Sequence, residues 1–159
     1  MAEFRFLFSP EQRNRFQSGA LMEEWAARYP ELFDERDVSI CRNQPDYHFF
    51  EWLGAVLLYE ATGYLSLIEK YETKSHQEKF DAFKASVPLA VFDHVLKNRT
   101  GLPDLFLYKK DFTDWFFCEI KGFRDKLRDH QLDRFREIEA VSGKPVSILY
   151  LDVAKLDQK

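Results

Sequence analysis

Glu119, Ile120 and Lys121 set a carboxylate and an ammonium two positions apart, and Asp104 offers a second carboxylate upstream. Two apolar stretches, one opened by Asp104 and one closed by Glu119 and Lys121, read as neighbouring strands. Side chains alternate along a strand, so Glu119 and Lys121 share a face and Ile120 takes the other. In an antiparallel hairpin the start of the first strand meets the end of the second, which brings Asp104 and Glu119 together. Two acidic oxygen ligands suit a hard divalent cation such as Mg2+. An amine beside that cation can orient a water or steady phosphate charge. A surface hairpin with a salt bridge would need the same three residues, so the pattern alone is weak.

The surrounding pieces are more specific. Gly101-Leu102-Pro103-Asp104-Leu105, Glu119-Ile120-Lys121-Gly122, Asp125-Lys126-Leu127 and Gln131 follow one another in that order. Together they resemble the VRR-NUC group of the PD-(D/E)xK nucleases. The run YHFFEWLGAVLLYE is similar to a helix of the Fanconi-anaemia-associated branch of that group, where a glutamate completes the metal site. The resemblance carries that role to Glu51, with Glu60 the competing acid on the same helix. It implies a cation, Mg2+ or Mn2+, held by Asp104, Glu119, Glu51 and the main-chain carbonyl of Ile120. Lys121 would assist the hydrolysis, and Gln131 would contact the attacking water or the substrate.

The implied partner is DNA, and the implied activity is a structure-selective endonuclease or nickase. Such enzymes cut flap or junction DNA in repair, recombination or phage-related processing. Stand-alone members of the group resemble dimeric junction resolvases, whereas the Fanconi-associated branch acts on flaps and carries a helical insert. This chain has the length of the first and the insert of the second, so the substrate and a homodimer both stay open. The rival class is a non-catalytic nucleic-acid-binding or protein-interaction module that keeps the fold. It predicts loss of a site residue, and Asp104, Glu119 and Lys121 are all present.

The 159 residues suffice for a single domain with a sizeable core, and 45% are hydrophobic. The formal charge of -4 argues against a tight nucleic-acid clamp, but its distribution is uneven. Residues 99–159 hold 12 Lys and Arg against 11 Asp and Glu, and a cation would occupy some of those acids. Arg124, Lys126, Arg128 and Arg134 are the candidate phosphate contacts, partly neutralised by Asp125, Asp129 and Asp133. Cys41 and Cys118 lack metal or disulfide spacing, and neither they nor the histidines form a nucleophile frame or an HExxH site. No stretch reads as a signal peptide or membrane span, so a reduced, cytoplasmic setting is expected.

The elements that must position these residues follow from periodicity. The expected class is α/β: a restriction-endonuclease-like core with a small mixed sheet flanked by helices. A helical N-terminal extension over 1–44 precedes a nuclease core over 46–153. Residues 2–8 alternate weakly, as an edge strand or arm. Ser9-Pro10 with Gln12 opens a helix running to about Tyr29. Residues 34–45 read as a charged loop. Asp46 is placed to cap a helix ending near Gly63, and residues 64–98 read as an all-helical insert. There Ser75 caps one helix, and Pro88 starts another that turns Leu89, Phe92, Val95 and Leu96 inward. Lys70, Lys74 and Lys79 read as a solvated face. Strands follow from Asp104 to Tyr108 and from Trp115 to Ile120. A helix then runs from about Asp129 to Val141, with a last strand over Val146 to Val153 and a frayed tail.

Overall fold

The structure is a computed structural model that describes residues 2–68, 71–74 and 76–155. The expected cap at Ser75, the surface role of Lys70 and the tail from Leu156 lie outside those residues. The element order is β1 (Glu3–Phe8), α1 (Pro10–Gln17), α2 (Ala20–Arg28), α3 (Glu35–Asn43), α4 (Phe49–Thr62), β2 (Leu65–Ile68), α5 (Gln77–Ser86), α6 (Leu89–Lys97), β3 (Leu105–Tyr108), β4 (Trp115–Lys121), α7 (Asp129–Ser142) and β5 (Ser147–Val153). The strands form one five-stranded mixed sheet in the order β1-β5-β4-β3-β2. β2, β3 and β4 are antiparallel, and β4, β5 and β1 are parallel. The arrangement is compatible with the restriction-endonuclease-like core that the sequence leads one to expect.

Alternation along the strands builds two apolar layers. Leu105, Leu107, Cys118, Leu149 and Leu151 face one side, against α4 and the helices before it. Phe106, Phe117 and Ile148 face the other, against α5, α6 and α7. Each fully buried aromatic or aliphatic side chain contributes roughly 1.5–3 kcal/mol, so the central strands are pinned from both sides. α4 approaches the sheet closely at Gly54. A Cβ there would lie 3.0 Å from Leu149 Cδ2, 3.2 Å from Ile120 Cδ1 and 3.3 Å from Leu105 Cδ1. The missing side chain lets the helix settle onto β3, β4 and β5, carrying Glu51 one turn upstream.

Several sequence expectations are corrected. The helix expected from Ser9 to Tyr29 is two, α1 and α2, because the chain turns at Ser18 and Gly19, whose φ is 91°. Residues 34–45 are not a loop. Asp34 and Asp37 form a reciprocal capping box that starts α3, with bonds of 2.8 and 3.1 Å. Residues 64–98 are not all helical, because β2 pairs antiparallel with β3. All four β2 residues are buried, and a short run covered on both faces has no period to betray it. α4 begins at Phe49 after His48, with no capping bond from Asp46. Leu89 also turns outward at 69% exposure, leaving Val91, Phe92 and Val95 as the inner face of α6.

Lys79 departs furthest from its expected place on a solvated face. It is 5% exposed and paired with the equally buried Asp37, and its Nζ also donates to the Ile68 carbonyl at 2.8 Å. Burial pushes the Asp37 carboxyl up, against the pull of the Lys79 ammonium. The pair fastens α3 to α5 and to the end of β2. Lys79→Met would strand the Asp37 carboxyl and is expected to cost about 3–5 kcal/mol of unfolding free energy. Urea unfolding measures this, and a midpoint equal to the parent's would refute the fastening role.

Candidate active site

The antiparallel register sets Leu105 opposite Cys118, and one step further along the ladder Asp104 stands opposite Glu119. The Ile120 amide donates to Asp104 Oδ2 at 2.9 Å, which locks the first carboxyl onto the end of β4. Glu119 is only 6% exposed, and its carboxyl lies against that of Asp104. Burial first, then the Asp104 carboxyl beside it, push Glu119 up to about 9. Lys121 and the Ile120 amide pull the other way without offsetting the rise. A buried carboxyl held against a half-buried one favours a proton or a cation between them.

Glu51, Asp104, Ile120 and Lys121 line one cleft of about 590 Å³. Glu119 does not line it: it alternates with Cys118 and Ile120, which face α4, and meets the cleft only through its contact with Asp104. Glu60 is removed from the cleft by the hydroxyl of Tyr29, which donates to it. Gln131 is near the site, with its oxygen turned toward the chain: Oε1 accepts from Lys121 Nζ and from the Arg128 amide, both at 3.1 Å. It therefore starts α7 and steadies Lys121 with one atom. Asp125 Oδ2 accepts from the Gly122 amide at 2.9 Å and holds the turn that leaves β4.

The four candidate phosphate contacts are not gathered in the cleft. Arg124, Lys126 and Arg128 are exposed on the loop and at the start of α7. Arg134 is occupied by Glu137 at 3.0 Å and Asn98 at 3.5 Å. Cys41 and Cys118 are buried, and burial raises both thiols, which removes them as thiolate nucleophiles.

Several supporting residues escaped the sequence. Tyr71, 1% exposed, donates its hydroxyl to the Pro103 carbonyl at 2.9 Å and so fixes the peptide leading into Asp104. Nothing in its local pattern announces that role. Gly54 was findable in principle, since a glycine inside an apolar helix points to a close approach. Arg13 and Asn14 of α1, and Asp152 of β5, also line the cleft, brought there only by the tertiary fold.

Among the described residues no three His, Cys, Asp or Glu side chains come together as a ready metal cage. The donor chemistry nevertheless fits a hard divalent cation. It offers two carboxyl groups in contact, one of them holding a proton that a cation would replace, and hard oxygen donors beside them. Among the described residues no helix is long and apolar enough to cross a membrane.

No protein-family model matches the chain, and no curated protein matches it. Among solved structures the chain is similar to paFAN1 in a crystal structure bound to 2nt 5′ flap DNA with gap, at 18% identity and a TM-score of 0.34. The match covers 91% of this chain, which spans 22% of the length of that one.

The raised Glu119 carboxyl has a definite pH signature. The folded chain keeps a proton that the unfolded chain loses near its ordinary value of 4.5. Its contribution is complete below that value and is lost as pH rises toward about 9. Without divalent cations, stability should fall across that window in the parent and stay flatter in Glu119→Gln. Thermal midpoints across the pH range check this, and parallel curves for the two proteins would contradict it.

Proposed function

We propose that the chain is a divalent-cation-dependent phosphodiesterase that cuts DNA, an endonuclease or nickase of the VRR-NUC kind acting on flap or junction structures. One observation carries the reading: Asp104 and Glu119 are pressed together at the end of a hairpin, beside Lys121 and a cleft that Glu51 also lines. A purely structural role gives little reason to hold a buried carboxyl against a half-buried one at the edge of a cleft, whereas a cation-binding role does. The motif pieces around Asp104, Glu119 and Gln131 support the same reading from the sequence.

Asp104 and Glu119 would hold Mg2+ or Mn2+, with the Ile120 carbonyl and Glu51 completing the oxygen set. When bound, such a cation supplies Lewis acidity toward the scissile phosphate and its attacking water. Lys121 donates to the charge that grows on the phosphate oxygens, and Gln131 keeps that ammonium in place. Hydrolysis adds the water oxygen to phosphorus and breaks the bond to one sugar oxygen, which leaves with the proton. As a second copy of the chain would double such a cleft, a homodimer is the assembly proposed for junction DNA.

Labelled flap, junction, nicked and single-stranded DNA, incubated with Mg2+, Mn2+ or EDTA, test the reading. Cleavage should require the cation and fall about a hundredfold or more in Glu119→Ala and in Lys121→Ala. Calorimetry should show Mg2+ or Mn2+ binding to the parent and its loss in Glu119→Ala. Cleavage unchanged in both variants, or a parent that binds neither cation, would overturn the proposal and leave the non-catalytic module standing.

A further inference from the structure

The charged residues of the cleft lining are mostly acidic: Glu51, Asp104, Asp125 and Asp152 stand against Arg13 and Lys121 among the described residues. A polyanion entering such a cleft depends heavily on those two cations. Lys121 is engaged with Gln131. Arg13 forms no salt bridge with any described residue, whereas Arg15 on the same helix is paired with Glu24 at 2.8 Å. The Arg13 guanidinium lies over the ring of Phe50, 5.2 Å from its centroid. A guanidinium stacked on a ring still presents a planar N–H fork of the shape that matches a phosphate.

Its support is rigid. α1 starts with a capping box between Ser9 and Gln12. It is anchored by Phe16, which is fully buried and packs edge-on against Phe49 and Trp52 of α4. Phe50 is the neighbour of Glu51, so one helix carries both a proposed cation ligand and the ring beneath Arg13.

We infer that Arg13 is a phosphate-binding residue of the cleft, taking a phosphate next to the scissile one on the same DNA strand. The inference rests on the phosphodiesterase reading of this cleft and gives the N-terminal extension a part in holding substrate. Arg13 touches the strand outside the reacting atoms, so it governs affinity and not the chemical step.

The test is fluorescence anisotropy of the full chain with fluorescein-labelled flap and single-stranded oligonucleotides, with Ca2+ in place of Mg2+. Arg13→Gln should weaken binding about tenfold, the loss of one charge-assisted contact. It should also lower the slope of log Kd against log salt by about one. Arg13→Lys should restore the slope and part of the affinity, and Arg15→Gln should bind like the parent. Thermal midpoints equal to the parent's would establish that each variant is folded. Parent-like binding by Arg13→Gln, or an equal loss in Arg15→Gln, would overturn the role of Arg13 while leaving the phosphodiesterase reading intact. A parent with no affinity for either oligonucleotide would remove both.

Discussion

The register of one hairpin forces two acidic side chains into each other's company. Leu105 faces Cys118 in the buried ladder, and just beyond its end Asp104 comes to lie beside Glu119. The Ile120 amide then holds Asp104 from one side, and the aromatic layer of Phe106 and Phe117 excludes water beneath. Like groups in a low-dielectric place repel unless one is neutralised, so the site stores a demand for positive charge.

Other parts of the chain serve by fixing distances. Gly54 lets α4 lie close on the sheet, and Tyr71 pins the peptide ahead of Asp104. Gln131 ties the first turn of α7 to the last residue of β4. The buried Lys79–Asp37 pair binds α3 of the N-terminal extension to α5. Its geometry is satisfied by the extra bond to Ile68, without which two charges so deep would be a poor arrangement. The N-terminal segment is therefore part of the folded unit that frames the cleft.

The carboxyl pair was legible in the sequence because strand alternation and hairpin closure are local rules. Asp104, Glu119 and Lys121 needed only a period of two and a turn. Gln131 was legible as a neighbour of the site, but which way its oxygen points depends on Lys121 and Arg128 together. β2 was not legible, because four residues buried on both faces carry no alternation. α3 was hidden by its charge, although the paired aspartates at its start were a capping signal. Lys79 misled for a different reason: a lysine's burial depends on a partner far away in the chain, here Asp37. Arg13 belongs to the same class, since its nearness to Asp104 exists only once the sheet has closed.

The sheet is closed by a long-range pairing. β1 and β5 are neighbours, with Glu3 in register with Ile148 and Phe8 with Val153. That pairing joins nearly the most distant segments of the described chain, and such contacts form slowly because a long loop must first be drawn shut. During synthesis, residues 3–17 emerge before residues 147–153 and have no strand partner until those follow. Until then Phe8 and Arg13 have no cleft to line. The hairpin that holds the two acids can form earlier, from a nearby stretch of chain. The acidic pair thus rests on a contact close in the chain, and the wall that gives it a shape rests on one that spans nearly all of it.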